Sequence, residues 1–129
     1  DAEILRPGAV AVGKNPRASG AFVRKLSHYV KERGVITLPF AIRAATSLPA
    51  QIIGLQDRGK LQVGAFADIA AFDLDKLQDR ATILDPAALS TGVEYVLVNG
   101  VFVVDQSKPT SELPGRVLRR VDKDLALGS

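Results

Sequence analysis

The chain has 129 residues, 47% of them hydrophobic and 24% charged, close to the globular average, which argues against general disorder and against a fibre. A chain of this length is about one domain, able to bury roughly two thirds of its unfolded surface. Its net charge of +3 arises from 17 basic and 14 acidic residues that are mostly interspersed, so no nucleic-acid arm of about five or six like charges exists and no nucleic-acid partner is expected. The longest apolar runs, such as residues 66–72, are broken by Asp68 and fall far short of the roughly 20 residues that span a bilayer, so no membrane association is expected. Residues 1–6 do not read as a signal peptide, and the absence of Met anywhere points to a chain whose beginning has been lost or removed. Cysteine is also absent, which removes disulfides and thiolate metal sites and leaves the cytoplasm as the default compartment.

Along the chain, residues 1–18 carry Pro7, Gly8, Gly13, Asn15 and Pro16 and read as a loop long enough to line or cover something. A helix follows, with Ser19 as its expected N-cap and Gly34 as its stop. Phe22, Leu26, Tyr29 and Val30 share one face of it, and Arg24, Lys25, His28, Lys31 and Glu32 the other, the pattern of an amphipathic surface helix. Thr37 caps a second helix starting at Leu38-Pro39, where Pro costs little because a first-turn N–H has no intrahelical partner. Residues 38–45 are apolar nearly all round except Arg43, so this helix is expected to be buried. Ser47-Leu48-Pro49-Ala50 repeats the start signal for a short third helix that ends at Gly54.

Beyond Leu55 the period changes to short runs rich in Val, Ile and Phe, with strands expected at residues 60–63, 68–72, 95–98 and 101–104. Asn99-Gly100 is the strongest turn signal, because a type I′ hairpin needs two residues that tolerate positive φ. Residues 76–92 read as a loop between strands, and the alternation in residues 115–120 as a strand with outward Arg side chains. The expected fold class is α+β, with loop and helices in residues 1–54, a β-rich unit in 55–120 and a frayed tail in 121–129.

The residues themselves assemble no reaction centre. Nucleophilic triads and zinc sites need His or Cys, and the single His28 reads as an exposed helix histidine. Asp73, Asp75 and Asp79 fall at strand ends or in a loop, where Asp commonly terminates structure. Neither GxGxxG nor GxxxxGK[ST] occurs, so nucleotide binding has no support.

The order of short motifs adds a resemblance. Asn15-Pro16-Arg17, Gly20-Ala21-Phe22 and Leu26-Ser27-His28-Tyr29-Val30 resemble a segment of the N-acyl-D-amino-acid deacylases, with Asn15 standing where that family usually has His. Residues 45–50, Gly54-Leu55, Asp57-Arg58-Gly59, Gly64 and Ala67-Asp68-Ile69 resemble the passage from the last barrel helices of amidohydrolases into their small β domain. Val96-Leu97-Val98-Asn99-Gly100 is similar to a closing strand of that domain. Asp79-Arg80-Ala81-Thr82 and Pro114-Gly115-Arg116-Val117-Leu118, with the first segment, narrow the likeness to the D-aminoacylase branch.

The resemblance implies the end of a barrel followed by short antiparallel strands of a small β-sandwich. It implies a full-length enzyme in which zinc, held near the barrel strand ends, activates the water that attacks the amide of a small N-acyl-D-amino acid. An Asp at the end of the last barrel strand takes that water's proton and passes it to the leaving amine, and Asp1 stands at about the right distance before Asn15-Pro16-Arg17 to be that residue. The zinc ligands would lie upstream, so this chain by itself is expected to hold no metal or cofactor and to be inactive. Its uncovered apolar helix faces invite self-association. Two alternatives stand beside this reading: another amidohydrolase, dihydroorotase-like or deacetylase-like, that shares the β domain, and a non-catalytic α+β interaction module.

Overall fold

The computed structural model describes residues 15–119, which form three short helices followed by a four-stranded antiparallel sheet. Helix α1 spans Arg17–Arg24 and runs without a break into a π-helical segment, Lys25–Glu32. Its first turn differs from expectation: Pro16 occupies the N-cap position, two residues before Ala18 and three before Ser19, and the Asn15 side-chain oxygen accepts the Arg17 N–H at 3.1 Å. Wider π winding carries the Arg33 N–H to the His28 carbonyl, and past the helix end the Val35 N–H reaches back to the Tyr29 carbonyl. Gly34, at φ +60°, then turns the chain away, the left-handed stop that glycine takes at least cost.

Helix α2 covers Leu38–Arg43, and the Thr37 hydroxyl accepts the Phe40 N–H across its first turn at 3.4 Å. Helix α3, Ser47–Ile53, ends on Gly54 at φ +81°. Helix α2 is less buried than its composition predicts. Only Ala41 is fully enclosed, while Phe40 stands in solvent, because one turn and a half of helix meets neighbours on a single face.

Strands β1 (Ile69–Phe72), β2 (Val93–Val98), β3 (Val101–Asp105) and β4 (Lys108–Pro109) lie in sequence order across the sheet. Asn99 and Gly100 both have positive φ, 51° and 80°, so the β2–β3 turn has the predicted I′ character. β4, which the residue pattern did not reveal, is added through a second left-handed pair, Gln106 and Ser107. One sheet is described, not the two facing layers of a sandwich.

Two expected strands do not form. Residues 60–63 lie between Gly59 and Gly64, both at positive φ, and the Ala65 N–H closes a turn onto Gln62, which bends the run away from any partner. Residues 115–119 carry no strand pairing among the described residues. The interior is thin, with Ala41, Ala50 and Leu77 its buried apolar residues, while Phe22 and Ile52 keep 72% and 73% of their surface in solvent. No helix is long and apolar enough to cross a membrane among the described residues.

Candidate functional site

Asp1, the one candidate catalytic residue, lies outside the described residues, as does the tail after residue 119. The described part of the preceding loop begins at Asn15, whose side-chain oxygen accepts the Arg17 N–H. His28 differs from the expectation of full exposure. Its side chain retains 27% of its surface, Nδ1 lies 2.7 Å from Glu32 Oε2 one turn on, and its ring meets Tyr29 edge-on at 5.0 Å. No group of three or more His, Cys, Asp or Glu side chains that could hold a metal occurs among the described residues, so this donor set does not fit zinc.

The motif residues instead build a polar knot under the β unit. Arg58, 9% exposed, donates through one guanidinium nitrogen to Asp68 and through the other to Asn99 Oδ1 at 2.6 Å, while its guanidinium lies 4.2 Å from the centre of the Phe66 ring. The other Asp68 oxygen accepts the Asn99 N–H at 2.8 Å, and Asn99 Nδ2 donates to the Pro114 carbonyl at 2.7 Å. Burial raises the Asp68 pKa, but hydrogen bonds from the Asn99 amide and the Arg58 guanidinium outweigh it and hold the carboxyl below its ordinary value. Four motifs far apart in sequence, at residues 57–59, 67–69, 98–100 and 114–115, thus meet through one guanidinium and one amide. The knot spends its donors and acceptors on itself, which is the chemistry of a brace rather than of a reaction centre.

A second set of contacts joins the helices to the β unit. A Cβ on Gly20 would collide with the Asp79 carboxylate, which is 10% exposed, caps the Ala81 N–H at 3.0 Å and lies 3.9 Å from an Arg24 guanidinium nitrogen. Seven residues beyond Arg24, Lys31 Nζ donates to the Asp75 carbonyl. Gly20, Arg24 and Lys31 therefore meet the loop that carries Asp75 and Asp79, and Ser27 is buried. Sequence periodicity assigned Arg24 and Lys31 to solvent and Phe22 and Tyr29 to the interior; Arg24 and Lys31 are exposed as expected and Leu26 and Val30 are half-buried, whereas Phe22 and Tyr29 depart from the expectation and stand exposed. The loop facing the helix offers it the Asp79 carboxylate and the Asp75 carbonyl. Asp79, read from sequence as a loop terminator, is a buried contact residue, and the pairing of Gly20 with a carboxylate was the signal available for it. Between α2, α3 and β1 lies a mostly apolar groove of about 680 Å³, with Leu38, Ile42, Leu61, Ile69 and Phe72 among its walls.

These contacts position elements and carry no reacting group. The origin of the arrangement is shown by comparison with known proteins. The model of the amidohydrolase family matches residues 11–104. The N-acyl-D-glutamate deacylase of Alcaligenes xylosoxydans xylosoxydans is 50% identical over 106 residues, 82% of this chain and 22% of that protein. The D-aminoacylase of the same organism is 40% identical over equal shares. A crystal structure of D-aminoacylase superposes with a TM-score of 0.79 at 38% identity, covering 82% of this chain and 22% of its own. The N-acyl-D-glutamate deacylase of Bordetella bronchiseptica, complexed with zinc and a phosphonate mimic of the tetrahedral intermediate, gives 0.75 at 45% identity, covering 81% and 22%. The chain spans about a fifth of the length of the curated relatives it matches. With nearly three quarters of its residues matched by the family model and its motif residues gathered into one brace, the chain belongs to the amidohydrolase family.

Proposed function

We propose that this chain is the part of an N-acyl-D-amino-acid amidohydrolase that joins the end of the catalytic barrel to its small β unit, dividing near Gly54. The observation that carries the reading is 50% identity over 82% of the chain to an N-acyl-D-glutamate deacylase. The D-aminoacylase at 40% and an N-acyl-D-aspartate deacylase at 38% identity extend the likeness, so the proposed substrate of the whole enzyme is a small N-acyl-D-amino acid whose amide is broken, with N-acyl-D-glutamate the first to try. The uncovered Phe22, Phe40, Ile52 and Ile53 support the same reading, because a chain that leaves these side chains in water is suited to packing against more protein. The same faces favour self-association when the chain stands alone.

In this proposal the metal, zinc as in the Bordetella complex, is held by residues other than those described, and the chain alone does not hydrolyse amides. Asp1 accepts the proton of the attacking water and returns it to the departing amine. The test is release of D-glutamate from N-acetyl-D-glutamate by the full coding polypeptide, with and without zinc. Zinc-dependent release, lost by about a hundredfold or more in Asp1→Asn with zinc content unchanged, is the expected result. Failure to hydrolyse any N-acyl-D-amino acid refutes the enzyme reading, and full activity of Asp1→Asn refutes the residue assignment alone.

A further inference from the structure

We propose that Asn99 is a fold-gated deamidation site: the closed brace keeps the Asn99-Gly100 amide inert, and opening of the β unit commits it to an irreversible change. In an unfolded chain an Asn-Gly pair reacts readily, because Gly has no Cβ to hinder its backbone nitrogen from reaching the neighbouring side chain. The Gly100 nitrogen loses its proton to water and forms a bond to Asn99 Cγ, the Cγ–Nδ2 bond breaks and ammonia departs. Water then opens the resulting succinimide to aspartate or isoaspartate.

Every group this reaction needs is held in the fold. The Gly100 N–H donates to the Ala67 carbonyl at 3.0 Å, so the nucleophile is engaged elsewhere. Asn99 Oδ1 accepts from Arg58 and Nδ2 donates to the Pro114 carbonyl, which fixes the plane of the side-chain amide from both ends. The Asn99 N–H is itself tied to Asp68. The brace that orders the β2–β3 turn is thus also its chemical protection.

The product could not re-form the brace. Aspartate at position 99 would turn a carboxylate oxygen toward the Pro114 carbonyl in place of the Nδ2 donor, close to the Asp68 carboxylate that already uses Arg58. Isoaspartate would lengthen the main chain at a turn whose two residues both need positive φ. Each opening event that reacts is therefore recorded permanently at this position.

The test follows deamidation of the full polypeptide containing this chain in mildly alkaline buffer, natively and in urea, with the peptide bearing Asn99 analysed by mass spectrometry and isoaspartate resolved by chromatography. The native rate is expected to be at least about tenfold below the denatured rate, because reaction through an open state is limited by its population. Arg58→Met, its fold checked by circular dichroism, is expected to bring the native rate toward the denatured one. Equal native and denatured rates in the unaltered protein overturn the proposal, and so does a folded Arg58→Met protein that deamidates no faster than the parent. Should Arg58→Met not fold, the native and denatured rates of the unaltered protein decide the matter on their own.

Discussion

Replacing Arg58 by Met removes two hydrogen bonds to the knot and the cation over Phe66 while leaving a flexible apolar side chain to occupy the space. Hydrogen bonds to charged groups contribute about 1.5–3 kcal/mol each, and a partly desolvated cation over an aromatic ring about 0.5–2 kcal/mol. Two features reduce the net loss. The Asp68 side chain keeps 31% of its surface and can recover water, and it retains the Asn99 N–H. The expected destabilisation is therefore about 2–4 kcal/mol, toward the low end of what breaking a buried pair costs. Urea unfolding of the chain followed by far-ultraviolet circular dichroism measures it, and a cycle with Asp68→Asn isolates the pair, with an expected coupling of about 1–3 kcal/mol. A loss under about 1 kcal/mol, or strict additivity in the cycle, would show that the knot is a consequence of the fold and not one of its supports.

Other outcomes follow from single contacts. Gly59→Ala places a Cβ 2.8 Å from the Thr46 carbonyl and 2.9 Å from Ala50 Cβ at a φ of +76°, so a loss of about 2–4 kcal/mol by the same unfolding assay is expected. Gly20→Ala drives a methyl into the Asp79 carboxylate; the expected loss is about 1–3 kcal/mol, and Asp79→Ala in the same chain should recover part of it. The Asp68 pKa is lower folded than unfolded, so its contribution is present above the unfolded value of about 3.9 and is lost as the pH falls through the lower folded value. Thermal midpoints should therefore drop more steeply below about pH 4 in the parent than in Asp68→Asn, and parallel curves would contradict this.

Local signals were legible where one residue's backbone preference decided the outcome. Thr37, Pro39, Gly34 and Gly54 mark helix ends in the sequence and in the structure, and Asn99-Gly100 marks the hairpin. Each acts through φ or through one short hydrogen bond, so no distant partner is needed. The D-aminoacylase likeness was legible for a related reason: its motifs are short and their order survives in a single chain.

Tertiary structure alone brought Arg24 and Lys31 to the Asp79 carboxylate and the Asp75 carbonyl, because helical periodicity counts apolar residues and cannot see what the opposing loop presents. It also decided the fate of residues 60–63, whose Val- and Leu-bearing run has strand composition but no neighbour to pair with between two left-handed glycines. Asp68, Arg58 and Asn99 were visible as separate motifs, 10 and 41 residues from one another along the chain. That they form one brace is a fact of three-dimensional closure, since hydrogen bonds depend on distance in space and sequence records only distance along the backbone.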